Sequence, residues 1–453
     1  MPDRSRLPAH LERRQSLDEL SGRPADASQR GGVPDRGDHA STGPVKLRSS
    51  RASDQFSAFP DAQGTPSDNN GLVPPPLPGA AGQPAIPVRS ASAPARLHGI
   101  RSPEGAVIDT TRSSCLVSGM ALDEALLGWL LDTDPALRWQ VERDLAKERD
   151  VVWAATRTRV AEEGMGARLL ELQDGDGQWA GGAYFPSRAD PRAVNHPDDG
   201  EGQPYTATTW SLNTLREWGV DASVLAGTAE KLTVNSRWEY DDLPYWGGEV
   251  DCCINAYTLA NGAWLGADVS GLVEWFVEHQ LPDGGWNCDW VEGSRRSSFH
   301  STLNSLREVL WFEQAIGGHD TLRAARHRAQ EYLLERRLLY SLGTGERVGG
   351  WIANVDYPFR WPYTALRALD YLREATVHDD VAPDPRAGEA VALVRSARGE
   401  DGRWLQGTRY KGQVWFEVDV PVGEPSPWLT FYATRVLDWW DNAQPSATRS
   451  ARA

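Results

Sequence analysis

One phrase recurs along this chain and restricts what it can fold into. In "LLELQDGDGQW" it sets Gln173, Gly177 and Trp179 in the spacing Q-x-x-x-G-x-W, and "FVEHQLPDGGW" repeats it with Gln280, Gly284 and Trp286. A third copy, "LVRSARGEDGRW", carries Arg398, Gly402 and Trp404. Self-similarity of this kind signals repeated units, each of which buries its apolar face against its neighbours. Every copy follows an amphipathic stretch and runs into a glycine-rich turn, where glycine supplies the left-handed backbone that ends a helix. Each copy therefore marks a helix C-terminus.

After the turns come second helical segments: "YTATTWSLNTLREWG", "CCINAYTLANGAWLG", "FHSTLNSLREVLWF", "PYTALRALDYLREA" and "PWLTFYATRVLDWW". Few of these have a clean polar face, whereas a preceding segment such as "AARHRAQEYLLERRLL" does. Segments apolar or small on most sides belong inside, and those with one charged face belong outside. Alternating strand patterns are absent. The expected class is all-α, with helical hairpins forming an inner and an outer ring, an α/α toroid.

Composition sets the limits of that unit. All twenty tryptophans lie between Trp129 and Trp440. Residues 1–119 are dense in Pro, Gly, Ser, Ala and Arg and are expected to be disordered, because such a chain cannot bury enough apolar surface to offset its entropy. The folded unit is then 120–442, followed by a flexible tail, 443–453. Of the 47 basic and 63 acidic residues, 1–119 hold 14 and 12, so the excess of acid falls in the remainder. That balance argues against a nucleic-acid or anionic-membrane partner. There is no run long and apolar enough for a transmembrane segment and no signal-peptide core in "MPDRSRLPAHLERRQ". Four cysteines, two of them adjacent, do not form a secreted disulfide framework. A reducing, cytoplasmic location is expected.

The Q-x-x-x-G-x-W copies and hairpins resemble the squalene cyclase and protein prenyltransferase superfamily of terpenoid cyclase-like α/α toroids, over residues 120 to about 442. The resemblance implies that Gln173, Trp179, Gln280 and Trp286 tie repeats together and have no catalytic role. It also implies an apolar, Trp/Tyr-lined central cavity and an isoprenoid or similarly apolar small-molecule substrate.

"GGEVDCCINAY" is then of interest. Placing Asn255 over Asn304 puts Asp251 over His300 at the starts of two neighbouring inner helices. Protein prenyltransferases carry zinc on an Asp and a Cys in D-x-C and on a His at the next helix start. The resemblance thus assigns zinc to Asp251, Cys253 and His300, a ligand set suited to that ion with one position left open. Cys288, in "GGWNCDW", is either a fourth ligand or a buried thiol nearby. Its glycine-bounded loop need not reach the metal, so an open catalytic site is expected. Taken singly, Asp251 also reads as an N-cap, the cysteines as small buried hydrophobes and His300 as a helix-end residue.

The chain departs from these families in two ways. Where prenyltransferases place basic residues to hold a diphosphate, it has Gly248 and Tyr245. It also lacks the D-x-D-D acid of squalene–hopene cyclases; the nearest string, "EYDD", offers Glu239, Asp241 and Asp242 as candidate acids. The leading expectation is a zinc enzyme acting on an apolar small molecule. The alternatives are a cation-initiated terpenoid cyclase using Glu239, Asp241 and Asp242, and a non-catalytic binding toroid with structural zinc.

Overall fold

The computed structural model describes residues 123–196 and 199–443, all of them in the unit Ser49–Ala453. The segments expected to be disordered, 1–119, or flexible, beyond Ala443, lie outside the described residues, as does the fourth cysteine, Cys115. In chain order the α-helices are α1 Glu124–Leu131, α2 Pro135–Asp144, α3 Asp150–Arg159, α4 Gly164–Leu170, α5 Thr208–Glu217, α6 Thr228–Asn235 and α7 Cys252–Leu265. They continue as α8 Ser270–Glu278, α9 Phe299–Ile316, α10 Asp320–Glu335, α11 Ala365–His378, α12 Gly388–Ser396 and α13 Pro427–Ala443. Among the described residues the only β-structure is isolated bridges. The class is all-α, and the five inward-reading segments fall on α5, α7, α9, α11 and α13.

The three repeats have the same chemistry. α4, α8 and α12 end just before Gln173, Gln280 and Arg398. Gly177, Gly284 and Gly402 follow with φ of 91°, 97° and 81°, the left-handed region that the spacing called for. The tryptophan then folds back onto its own helix. Trp179 Nε1 donates to Leu169 O at 2.9 Å, Trp286 Nε1 to Phe276 O at 3.0 Å and Trp404 Nε1 to Val394 O at 2.9 Å. The backbone N–H of each donates at 3.1 Å to a threonine of the next inner helix: Thr208, Thr302 or Thr430. All three indoles are fully buried, and burying an aromatic of this size is worth about 4–6 kcal/mol of transfer free energy. The glutamines cross to the next outer helix. Gln173 Nε2 donates to Thr228 Oγ1 and Gln280 Nε2 to Ala325 O.

Burial separates the two sets of helices. Residues 252–262 of α7 are all buried, while α10 buries mainly the stripe Leu322, Ala325, Ala329 and Leu333. Neighbours follow one another in a closed order: α5 against α7, α7 against α9, α9 against α11, α11 against α13 and α13 against α2. The cycle closes where Trp139 Nε1 of α2 donates to Trp218 O just past α5, at 2.8 Å. α8, α10 and α12 pack outside α7, α9 and α11 respectively.

Candidate functional site

α7 and α9 share the most extensive helix contact of the fold, and the cysteines lie at its start. Cys252 and Cys253 open α7, whose last turn is closed by Gly266 in the left-handed conformation. Cys288 arrives from the loop after the second repeat. Trp286 pins that loop against α9 through Thr302, and Asn287 caps the 3-10 turn Cys288–Glu292. The loop therefore reaches the cysteines, in line with the reading of Cys288 as a possible ligand and against the expectation that its loop stays off the group. Cys288 Sγ lies 3.4 Å from Cys253 Sγ and 3.6 Å from Cys252 Sγ. Asn304 Nδ2 points to Cys253 Sγ at 3.4 Å, and Ser301 Oγ to Cys288 Sγ at 3.5 Å.

These three thiols form a buried group with all sulfurs within 4.8 Å of one another, a set that could hold a metal ion. A tetrahedral ion with bonds of about 2.3 Å to sulfur spaces its thiolates by about 3.8 Å, so the cluster is close to the geometry a thiophilic metal needs. Hydrogen bonds from Cys252, Cys288 and Asn304 converge on Cys253 and hold its thiol well below the usual range. Burial pushes Cys252 up. Glu249 and Asp251 are buried alongside. Burial, then Cys288 and Glu249, push Asp251 up. Burial thus keeps most of these donors protonated, and a bound cation would favour their ionised, ligating forms.

The structure distributes the expected ligands differently. Cys253 and Cys288 are in the group, joined by Cys252, which the D-x-C reading passed over. Asp251 precedes the group as the N-cap residue of α7, but makes no side-chain cap bond, and it is not one of the three clustered ligands. His300 is not in the group either. Its Nδ1 accepts the N–H of Tyr363 at 2.8 Å, and its ring lies against Trp351 and Trp361. Burial, with Arg367 adding to it, lowers its pKa to about 4, so it is a neutral acceptor at pH 7. The reason is register: α9 is capped by Ser298, which puts His300 inside the first turn. One turn later on the same face it is Asn304 that reaches Cys253.

The acidic string offers no free acid at the centre. The Glu239 carboxylate accepts the backbone N–H groups of Ala183, Tyr184 and Phe185, clamping the loop after Trp179. Asp241 and Asp242 are exposed, with φ of 53° and 54°.

The central cavity, of about 310 Å3, is lined from α2, α3, α5, α7, α9, α11 and α13 and from the loop 357–360. It is aromatic, as expected, through Trp210, Tyr257, Trp311, Phe359 and Tyr432. It is not apolar. Seven arginines line it against three glutamates, and two of these cations keep buried donors without hydrogen bonds. Arg367 is 3% exposed, donates to the carbonyls of Trp361 and Pro362 and to the Tyr257 hydroxyl, and leaves Nε without a partner. Arg307 Nε and Nη1 are buried without hydrogen bonds, and its nearest carboxylate oxygen, on Asp370, is 3.7 Å away. Arg360 stacks over Tyr205 at 4.1 Å. Burial holds Arg360 and Arg367 below the usual arginine range. The cavity thus presents unmet donors and positive charge beside aromatic faces, a surface for an anion carrying an apolar body.

A readable signal for this lining exists. "LNTLRE" at 212–217 and "LNSLRE" at 303–308 are nearly the same string, and "LRE" returns at 372–374. Charged pairs at matching places in otherwise buried helices point to a polar interior. Tyr257 and Asn304 connect the cavity to the cysteines: Tyr257 lines it and donates to Asn304 Oδ1 at 3.1 Å, and Asn304 contacts Cys253.

No protein-family model matches this chain, and no curated protein matches it. Among the described residues no helix is long and apolar enough to cross a membrane.

Proposed function

We propose that this protein is an enzyme of the terpenoid cyclase and prenyltransferase kind, a helical toroid whose central cavity takes an isoprenoid-like molecule bearing an anionic group. The observation that carries the reading is the set of buried guanidinium donors without partners on Arg307 and Arg367, facing a cavity walled by tryptophan and tyrosine. An anionic head would satisfy those donors, and the aromatic faces would hold the hydrocarbon. Basic residues are absent at Gly248 and Tyr245, and in this reading the arginines of α9 and α11 take their place. Zinc is the metal proposed for Cys252, Cys253 and Cys288, with Asp251 and Asp289 the carboxylates adjacent to them in sequence. When bound, it would supply a fixed positive charge that clamps the loop after Trp286 to α7.

One observation favours a structural rather than a catalytic role for that metal. All three cysteines are buried and none lines the cavity, so Tyr257 and Asn304 stand between the thiols and any ligand. The test of the cavity reading is thermal stabilisation by inorganic diphosphate. The native protein should gain melting temperature with added diphosphate, and Arg307→Gln and Arg367→Gln should weaken the apparent affinity about 10- to 100-fold, the scale of a lost charged hydrogen bond. Equal stabilisation of all three proteins would refute it.

A further inference from the structure

A side pocket of about 50 Å3 adjoins the central cavity and shares Tyr357, Pro358 and Arg360 with it. Part of its wall is Asp356, which is 3% exposed. Asp356 Oδ1 is buried with no hydrogen-bond partner, while the Tyr410 hydroxyl holds the carboxyl. The charged and titratable groups around it come from several segments. Tyr205 precedes α5, Arg360 belongs to the same loop and Arg367 lies on α11. Tyr410, Arg409 and Glu417 come from the segment before α13. Arg409 is already committed to Glu417 and to the carbonyls of Asp419 and Val420, so it does not satisfy the Asp356 oxygen in the pocket wall. A space little larger than one or two waters, with this polar lining, admits a hydroxyl or carbonyl group and not a hydrocarbon chain.

We propose that Asp356 is a proton donor of the cavity, serving a hydroxyl or carbonyl oxygen of a ligand that reaches into the side pocket. The proton passes from the carboxyl to the ligand oxygen, and no other bond at Asp356 forms or breaks. The carboxylate left behind accepts from Tyr410 and faces the charge of Arg367. Burial raises the Asp356 pKa to about 7, against the pull of Arg367 and Tyr410, so the acid is partly protonated at neutral pH, where a general acid works best. The proposal rests on the cavity reading only in supposing that a ligand enters.

Diazoacetamide, a small polar diazo compound, tests access and protonation together. The carboxyl proton passes to the diazo carbon, dinitrogen leaves, and the carboxylate oxygen bonds to that carbon, leaving a carbamoylmethyl ester. Peptide mass spectrometry of the treated full chain should find the ester on Asp356, forming more slowly as pH rises through about 7, because only the protonated carboxyl starts the reaction. In Tyr410→Phe the fall should move to higher pH, because a hydrogen bond that favours the ionised form is gone. Absence of the Asp356 ester where Asp241 and Asp242 are esterified, a flat pH profile at Asp356, or an unmoved profile in Tyr410→Phe would overturn the proposal. No diphosphate is involved, so a failure here leaves the anion reading standing, and failure of diphosphate binding leaves this one standing.

Discussion

Cys253 is the second residue of α7, and its sulfur is reached by Cys288 and Asn304. A thiol at a helix N-terminus, approached by hydrogen-bond donors, is the one most easily ionised and most ready to bind a metal. The purified protein should carry about one thiophilic ion per chain. Cobalt substituted for it should give a charge-transfer band that falls by about a third in each of Cys252→Ser, Cys253→Ser and Cys288→Ser. His300→Asn should keep its metal, since the imidazole serves Tyr363; loss of metal there would restore His300 as a ligand. The same variant carries a pH prediction. His300 has its pKa lowered to about 4 in the fold, against about 6.5 when unfolded. The unfolded chain therefore binds the extra proton between those values, and stability drops as pH falls through that window. His300→Asn should flatten that drop by about 1–3 kcal/mol in denaturant titrations.

Among the elements, the repeat phrase was the most legible part of the fold, because its glycine and tryptophan each answer a local requirement. Gly284 needs φ of 97°, and a Cβ there would come within 2.8 Å of Arg328 O. Gly266 also has positive φ, but open space around it. Gly266→Ala should cost about 1–2 kcal/mol, the left-handed penalty alone. Gly284→Ala should cost more, because the backbone of α10 must also move; equal losses in chemical denaturation would contradict the account. The cysteine group was legible only in part. "VDCC" marked the right helix start, but which of Asp251, Cys252 and Cys253 turns toward Cys288 depends on where α7 begins and on a loop pinned by Trp286. Neither is a property of the local string. The cavity arginines were written in "LNTLRE" and "LNSLRE", yet in amphipathic terms they read as the polar residues of packed helices. Only the closed order of neighbours turns that face inward.

At the scale of the whole molecule, α2, α3, α5, α7, α9, α11 and α13 line one cavity with both cationic and aromatic groups. Holding Arg307 and Arg367 with unmet donors costs stability of the empty protein, on the order of 1–3 kcal/mol for each buried group left unpaired. A ligand that meets those donors recovers it, so binding and stability are linked. Arg367→Met, at a cation paired with no carboxylate, should therefore leave the unliganded protein about as stable as the native one while removing its response to anions, as thermal melts with and without diphosphate would report. The most direct measurement is calorimetric titration with inorganic diphosphate, farnesol and farnesyl diphosphate. Farnesyl diphosphate should bind at least tenfold more tightly than either part, with one molecule per chain, and Arg367→Gln should remove most of the advantage over farnesol. Farnesol binding as tightly as farnesyl diphosphate, or no binding by any of the three, would contradict the cavity reading.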